Sequence, residues 1–464
     1  MIAEDVVTQW TASVVAQWLG ATLEGDPQAT FVTVTTDSRE AGKGAAFFAL
    51  DGEKQRGSAY VPVAFGSGCS VVVVPNDWRG AVPAGSAALR VEDPLQALAD
   101  LAARRRRDWR GPVFAITGSV GKTTAKEMLA HVLHGKGRVL RSPGNFNTVV
   151  GLARTLLEAG EEPDLTVLEV GASEPGEIAR LARMVAPTAA AVTNVSAAHL
   201  QGFGGIGDIR REKLDLLRAV PADGCRVVDG DDAQLVHAAR EIGSIVKVGF
   251  GPDNDWQATD VRATGEGTEF RLDDGTRGLL PVPGEHQVKN ALFAVALAHS
   301  AGVAAGEALD ALRSFRPVAG RLVLRHHAGV LVADDTYNAN PTSMSAALRW
   351  FASHSVHGRR ALALGDMLEL GPDSRALHEE LGREVAALEP DLVVFCGPES
   401  RAASEVCSQV VGDRCRWTKS PEEAAPFFCA WLRAGDALLV KGSRGMRMER
   451  VVDAVLAREA PDAG

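Results

Sequence analysis

The sequence predicts an α/β protein of three domains, and three observations lead to this prediction. Its 464 residues exceed what one hydrophobic core ordinarily organises, which indicates about three domains. Apolar runs typical of buried strands alternate with helix-like segments in the middle and last regions, as in mostly parallel sheets covered on both faces. One such strand, 112–116, leads into a glycine-rich turn and then a helix-like segment, 125–134.

Residues 1–107 are expected to form a small N-terminal α/β domain. Helical patterns cover 12–19 and 95–106, and short β-like runs separated by glycine-rich turns lie at 31–35, 45–50 and 70–74. Four consecutive arginines, 104–107, end the second helix. We expect a solvated helix end at a domain boundary there rather than a nucleic-acid contact, because the net charge of −10 disfavours broad binding to nucleic acid.

Residues 108–317 are expected to form a central domain on a mostly parallel sheet. After the first strand come two further buried strand candidates, 165–170 and 189–195. Between 225 and 283 the apolar runs become short and alternate with glycine and aspartate turns, which predicts an antiparallel subsheet. A helix is expected to follow at 288–300.

Residues 318–464 are expected to form a Rossmann-like C-terminal domain after a linker at 316–321. Helix-like segments separate its strand candidates, which are 330–333, 360–364, 392–396 and 437–440. No Gly-x-Gly-x-x-Gly fingerprint follows the first of these strands. The domain is therefore not expected to bind a dinucleotide.

The composition indicates a soluble protein of the cytoplasm. Hydrophobic residues make up 46% and charged residues 23% of the chain, and no apolar stretch reaches the ~20 residues that span a bilayer. Glu4 and Asp5 replace the basic start of an export signal. The six cysteines show no Cys-x-x-Cys pairing, so we expect reduced thiols and no zinc site, although spacing alone leaves disulfides open; they are Cys69, Cys225, Cys396, Cys407, Cys415 and Cys429.

The glycine-rich turn has the character of a nucleotide phosphate cradle. Its glycines let backbone N–H groups approach phosphates, and the helix N-terminus adds partial positive charge. Lys122 can neutralise phosphate oxygens and the Thr123 hydroxyl can hold Mg²⁺. An ordinary strand-to-helix turn needs neither residue there. The predicted cradle consists of Gly118, Ser119, Val120, Gly121, Lys122, Thr123 and Thr124.

Three further side chains fall at or after strand ends, where ligands bind in α/β sheets. Glu169 closes one strand, where phosphate-binding proteins of this kind carry a second Mg²⁺ carboxylate, although a glutamate there can also be a surface residue. His199 follows the next strand by a short loop. A lone histidine is usually structural, but this position favours a ligand. Lys213, by composition alone, would be a solvated lysine on a helix face.

A polar segment, 334–341, follows the first strand of the last region. Its carboxylates, amides and Tyr337, one of two tyrosines in the chain, are suited to ribose hydroxyls and an adenine face. An Asx turn with a helix cap would explain only part of it.

The chain resembles the Mur ligases across the central and last domains. The motifs that carry the resemblance are 117–128, 144–147, 169–172, 176–179, 193–204, His286 with Asn290, Gly320-Arg321, 334–341, 365–371 and 441–444. The strings at 334–341 and 365–371 point to one branch of this family. That branch joins D-alanyl-D-alanine to UDP-N-acetylmuramoyl-tripeptide, with ATP and Mg²⁺, and completes the cytoplasmic precursor of peptidoglycan.

The resemblance also implies residue roles. Gly118 to Thr124 would hold the ATP phosphates, with Thr123 and Glu169 on one Mg²⁺ and His199 and Glu169 serving a second metal. Lys213 matches a lysine that related ligases carry as a CO₂-derived carbamate, an anion able to support Mg²⁺. The remaining implied contacts are Asn290 on adenine, Arg321, Asp335 and Tyr337 completing the nucleotide site, and Asp37, Ser38 and Arg39 at the UDP-sugar end.

The implied reaction is amide formation through an acyl phosphate, by a monomer that acts on small molecules. The sequence departs from the family pattern at 55–58, where the family often has Asp-Gly-His, and at Thr148 and Gln287. The first departure bears on the nucleotide-peptide substrate. Two alternatives stay open: a Mur-type or folylpolyglutamate synthase-like ligase with another amine donor, and an ATP-binding scaffold without ligase activity.

Overall fold

The computed structural model describes residues 9–52, 55–196 and 202–458. Glu4, Asp5 and His199, which the sequence singles out, lie outside these ranges. Three large sheets follow one another along the chain, with five, nine and six strands, and helices cover them. The predicted α/β class with a parallel central sheet is confirmed. Within the described residues no helix combines the length and apolar character that crossing a bilayer requires.

The first sheet has the strand order β2-β7-β6-β5-β4, and β1 pairs separately with β3. The elements are β1 Trp10–Thr11, α1 Ala12–Leu19, β2 Thr22–Gly25, β3 Thr30–Phe31, β4 Thr33–Thr35, β5 Ala45–Phe48, α2 Val61–Gly66, β6 Val71–Pro75, β7 Ala87–Val91 and α3 Pro94–Arg107. The strand predicted at 31–35 is thus two strands. The strand is interrupted at Val32, where the backbone N–H groups of Val32 and Thr33 both donate to the carbonyl of Gly44, at 2.8 and 3.1 Å.

The prediction of a solvated helix end at the four arginines is wrong for Arg106. This side chain is buried, and its guanidinium donates to the carbonyls of Val185, Trp109 and Ala186 at 3.0 to 3.1 Å. Neighbouring Arg105 reaches the carbonyl of Gly160 at 2.9 Å. The end of α3 therefore binds backbone acceptors of the next part of the chain, which a run of charges does not reveal.

The central sheet has the order β16-β15-β14-β13-β12-β11-β8-β10-β9. Its elements are β8 Val113–Thr117, α4 Lys122–Leu133, β9 Val139–Arg141, α5 Val149–Leu157, β10 Leu165–Glu169, α6 Glu177–Val185, β11 Ala189–Val192, α7 Ile206–Arg218, β12 Cys225–Asp229, α8 Ala233–Arg240, β13 Val246–Gly249, β14 Trp256–Thr264, β15 Gly267–Leu272, β16 Arg277–Leu280, α9 Glu285–Ser300 and α10 Ala305–Leu312. Helix α9 is apolar almost all round and lies in the core against α4, as expected for a helix without a solvent face.

The antiparallel subsheet is smaller than predicted. Strands β12, β13 and β14 continue the parallel pairing that begins at β11, and only β14, β15 and β16 pair antiparallel. The subsheet therefore spans 256–280 rather than 225–283. Strands of four or five residues carry too little pattern to distinguish the two pairings.

The last sheet has the order β17-β18-β22-β19-β20-β21, parallel except for the edge hairpin of β17 and β18. Its elements are β17 Val323–His327, β18 Val330–Asp335, α11 Pro341–Ser353, β19 Arg360–Gly365, α12 Ser374–Ala387, β20 Leu392–Cys396, α13 Arg401–Val411, β21 Cys415–Thr418, α14 Pro421–Trp431, β22 Ala437–Lys441 and α15 Glu449–Leu456. Separate apolar cores cover its two faces. All six cysteines are free thiols in the structure.

Candidate functional site

The glycine-rich turn joins β8 to α4 and is fixed by close packing. Gly118 and Gly121 have φ of 152° and 87°, and a Cβ at either position would overlap a neighbour, Thr193 Oγ1 or Asn290 Oδ1. Only glycine avoids both the strained backbone and the overlap. The sequence therefore builds the tight turn that a phosphate cradle requires.

Asn194, just after β11, holds the middle of the turn. Its Oδ1 accepts the N–H groups of Ser119 and Val120, at 3.0 and 2.8 Å. The Thr193 hydroxyl donates to the Val120 carbonyl at 2.5 Å. Two donors predicted to face phosphates are thus bound to Asn194 in this conformation, and the sequence alone predicts no role for Asn194.

Lys122, the first residue of α4, folds back over the turn. Its Nζ donates to the carbonyl of Gly118 at 2.7 Å and lies 3.4 Å from that of Ser119. Burial lowers the pKa of Lys122, and the nearby Glu169 carboxylate opposes that shift. The ammonium therefore lies over the cradle, beside a carboxylate, where phosphate oxygens would neutralise it.

Glu169 ends β10 with its side chain only 2% exposed. Its Oε1 accepts from Asn147 Nδ2 at 2.9 Å, whereas Oε2 is buried with no hydrogen-bond partner among the residues that the structure describes. A buried carboxylate oxygen without a partner is costly, and such oxygens are rare in native proteins. This unpartnered oxygen fits a bound cation at the position that the sequence assigns to Mg²⁺.

The Thr123 hydroxyl is the second candidate ligand for that ion. It is buried and accepts a hydrogen bond from Arg321 Nη2 at 3.0 Å. Within the described ranges no three His, Cys, Asp or Glu side chains form a metal-binding group. Two oxygen donors from the protein suit Mg²⁺, which usually keeps waters and substrate phosphates as its remaining ligands.

Lys213 is buried on α7, contrary to its composition-based reading as a solvated lysine. Burial and then the Lys122 charge lower the pKa of Lys213 to about 7, against the opposing effect of Glu212. Glu212 itself accepts from the N–H groups of Gly176 and Ile178, both at 2.7 Å, at the start of α6. A substantial neutral fraction at pH 7 makes the Lys213 amine nucleophilic.

Side chains from the linker and from the ends of β18 and β22 close the other side of the site. Arg321 stacks on Tyr337 at 4.0 Å from the ring centroid, and its Nε is buried without a hydrogen-bond partner in the described part of the chain. Asp335 Oδ2 accepts from Lys441 Nζ at 2.7 Å, and its Oδ1 accepts from the Leu322 N–H at 3.2 Å. Arg321 and Tyr337 thus meet the cradle through Thr123, while Asp335 is held by the buried Lys441.

Asn290 lies on α9 against Gly121, as the close approach of its Oδ1 requires. Its Nδ2 donates to Gln287 Oε1 at 3.0 Å. Burial lowers the pKa of His286 to about 4 despite the Asp335 carboxylate nearby. The resemblance includes His286 without a role, and the structure places it, neutral, in the first turn of α9, near Asp335 and Lys441 of the last sheet.

The segment Asp37, Ser38 and Arg39 follows β4 and interacts within itself. Asp37 forms an exposed bidentate pair with Arg39, which holds the pKa of that carboxyl at about 2. The adjacent Glu40 reaches Arg154 on α5 at 3.2 Å. The segment therefore lies beside the helix that follows the 144–147 motif.

Two neighbouring cavities lie between the glycine turn and the last domain, with volumes of about 180 and 40 Å³. Both are lined by Ser119, Lys122 and residues 338–340. The larger is also lined by Leu368, Glu369, Ser443 and Arg444. This wall belongs to the 365–371 and 441–444 motifs, but the sequence alone predicts no role for it.

Models of known families match most of the chain. A "Mur ligase family, catalytic domain" model matches residues 30–106, a "Mur ligase middle domain" model matches 116–298, and a "Mur ligase, glutamate ligase domain" model matches 320–444.

Individual proteins are similar over nearly their whole length. The UDP-N-acetylmuramoyl-tripeptide–D-alanyl-D-alanine ligase of Escherichia coli strain K12 is 35% identical over 96% of this chain and 98% of its own. A crystal structure of MurF from Acinetobacter baumannii is 33% identical, covers 98% of this chain and 100% of that one, and has a TM-score of 0.88. MurF ligase from Thermotoga maritima in complex with ADP is 28% identical, with a TM-score of 0.81 over 91% and 96% of the two chains.

Proposed function

The chain belongs to the Mur ligase family, and on this premise we propose that it is an ATP-dependent ligase that joins D-alanyl-D-alanine to UDP-N-acetylmuramoyl-tripeptide. The observation that carries this function is the closeness of Lys122, Glu169 and Arg321 at the cleft between the central and last domains. Among the described residues Glu169 Oε2 has no hydrogen-bond partner there. The similarity to the Escherichia coli ligase, which covers almost both chains, supports the substrate pair.

The reaction proceeds in two displacements. An oxygen of the tripeptide carboxylate attacks the γ-phosphorus of ATP in line, and the bond to the bridging oxygen breaks to release ADP. The dipeptide amine then attacks the carbonyl carbon of the acyl phosphate. The carbonyl carbon–phosphate oxygen bond breaks, phosphate leaves, and the amine proton passes to solvent or a base.

The chain's own groups bring two anions together in the first displacement. The Lys122 ammonium lies over the turn and is positioned to bind the transferring phosphoryl group. Bound between Thr123 and Glu169, Mg²⁺ would neutralise phosphate charge. Arg321 contributes its stacked guanidinium from the linker side, with Tyr337 as its platform. Asn290 lies next to the glycine turn, where it can contact the adenine of an ATP whose phosphates occupy the turn.

Lys213 is proposed to be a carbamate. Its neutral amine can add CO₂ with loss of a proton, which converts a buried cation into an anion. Burial, which lowers the pKa of Lys213 to about 7, supports this step because only the neutral amine reacts. The carbamate and His199 would then support the metal site together with Glu169.

The larger cavity suits the incoming dipeptide. It lies between Lys122 and a wall that offers a cation, Arg444, an acid, Glu369, and an apolar surface, Leu368. A zwitterionic dipeptide with methyl side chains presents the complementary groups. The Arg444 side chain is 65% exposed and paired only loosely with Glu449 at 3.4 Å, so a substrate carboxylate can compete for it.

The remaining assignments complete the proposal. Asp37, Ser38 and Arg39 bind the UDP-sugar end from the first domain. The domains span 1–107, 108–317 and 318–464, and closure of the third over ATP shields the acyl phosphate from water. The enzyme acts as a monomer in the cytoplasm.

A ligation screen tests the function. Purified protein is given Mg²⁺-ATP with UDP-N-acetylmuramoyl-tripeptide, and either D-alanyl-D-alanine or single amino acids as the amine donor. We expect ADP and phosphate, together with a ligated product, only when the dipeptide is present. Release of AMP and pyrophosphate would contradict the acyl phosphate, and preference for a single amino acid would indicate another ligase of the family.

A further inference from the structure

Lys126 is a completely buried lysine that the proposed mechanism does not use. It lies on α4 one turn after Lys122, and its side chain is 0% exposed. Its Nζ donates to the carbonyls of Ser142 and Gly144, at 2.7 and 3.1 Å, and lies 3.0 Å from Glu127 Oε1. Three acceptors thus match the three hydrogens of one ammonium group.

The two carbonyls belong to the segment that holds Glu169. Ser142 Oγ accepts the backbone N–H of Glu169 at 3.1 Å, and Asn147 Nδ2 donates to Glu169 Oε1 at 2.9 Å. The Asn147 carbonyl also accepts the N–H of Gly171 at 2.9 Å, just beyond the strand end. The loop 142–147 is therefore fastened by Lys126 on one side and by the end of β10 on the other.

We propose that Lys126 is a positioning residue for Glu169: by fixing the 142–147 loop it makes Asn147 bind Oε1, which leaves Oε2 directed at the metal. This inference rests on the proposed function, because it concerns the carboxylate assigned to Mg²⁺ there. Lys126 itself binds the loop carbonyls and Glu127, and it acts on Glu169 through Asn147.

The chemistry of the site favours an ammonium for this task. Burial, helped by the Arg141 and Arg321 charges, lowers the pKa of Lys126 to about 8, although the Glu169 charge opposes the shift. A buried cation is costly unless its hydrogens are paired, as they are here. A methionine could fill the space but could not bind two carbonyls, so the loop and the Asn147 amide would lose their fixed position.

The test measures metal binding rather than turnover. Mn²⁺ binding to the enzyme–ADP complex is followed by the electron paramagnetic resonance signal of free Mn²⁺, in wild type, Lys126→Met and Asn147→Leu. Outer-shell partners of metal ligands typically contribute 10–100-fold to affinity, so we expect both variants to bind Mn²⁺ at least ~10-fold more weakly. ADP affinity without metal should change less than ~2-fold. The control, Lys136→Met, removes a partly exposed lysine paired with Glu307 and should match wild type.

A double variant separates positioning from general damage. Because Lys126 acts through Asn147, Lys126→Met with Asn147→Leu should be no weaker than the weaker single variant, whereas independent effects would add. If Lys126→Met does not fold, the test depends on Asn147→Leu alone. Unchanged Mn²⁺ affinity in that variant overturns the proposal that Lys126 acts on Glu169 through Asn147. Unchanged affinity in a folded Lys126→Met overturns the positioning role. A wild type that binds no Mn²⁺ with ADP and makes no product would instead refute the proposed function.

Discussion

Replacing the buried Lys213 by methionine should stabilise the protein in a pH-dependent way. Burial and the Lys122 charge lower the pKa of Lys213 to about 7 from its ordinary value of 10.5. The unfolded chain then binds more protons than the folded chain between pH 7 and 10.5. The free energy of unfolding of wild type therefore rises with pH through that window. The destabilisation caused by Lys213 reaches its full size below pH 7. Lys213→Met removes the group that titrates.

The size of the effect follows from the same window. Each pH unit between the two pKa values corresponds to ~1.4 kcal/mol, so the variant should exceed wild type by on the order of 4 kcal/mol in free energy of unfolding at pH 7. At pH 9 the difference should fall to roughly 2 kcal/mol. For a domain of this size, each kcal/mol shifts the unfolding midpoint by about 2–4 °C.

Scanning calorimetry of both proteins from pH 6.5 to 9.5, in CO₂-depleted buffer, measures the difference. Added bicarbonate should then raise the midpoint of wild type at pH 8 but leave Lys213→Met unchanged, because only the lysine can form a carbamate. A difference in stability that stays constant across this pH range would refute the buried neutral amine.

Three other substitutions test separate parts of the site. Gly118→Ala places a Cβ on Thr193 and should weaken ADP binding at least ~10-fold by calorimetric titration. The control Gly135→Ala, with no atom within 4 Å of the new Cβ, should bind ADP like wild type. Equal ADP affinities of the two variants would contradict the tight turn. Arg321→Met removes a donor to the Thr123 hydroxyl and should raise KM for ATP about 10-fold with a smaller effect on KM for the dipeptide. In steady-state assays Arg444→Met should raise KM for D-alanyl-D-alanine about 10-fold, with a smaller effect on KM for ATP. An unchanged KM for D-alanyl-D-alanine would show that Arg444 is not part of the dipeptide site.

Features that depend on a few neighbouring residues could be predicted from the sequence. A strand followed by two glycines and Lys-Thr within a short stretch predicts the glycine turn. The position of Glu169 at the carboxyl end of a parallel strand follows from the apolar run before it, and its role as a ligand stays a prediction. The turn depends on residues that are neighbours in the sequence. The strand-end position depends on a geometry that all parallel sheets share.

Features that depend on packing between distant segments could not be predicted. Arg106 is buried because the end of α6 supplies carbonyl acceptors about 80 residues away. Lys126 binds carbonyls 16 and 18 residues ahead, so only its spacing of four from Lys122 hinted at a shared helix face. Lys213 looked like a surface lysine among charged neighbours, and only the family resemblance singled it out.

Transfer of ¹⁸O tests most directly the claim that an acyl phosphate links ATP cleavage to amide formation. The tripeptide carboxylate is labelled with ¹⁸O, ligation to D-alanyl-D-alanine is run to completion, and the released phosphate is analysed by mass spectrometry. Attack by the carboxylate on the γ-phosphorus predicts one labelled oxygen in each phosphate formed. Unlabelled phosphate accompanied by ligated product would contradict the account.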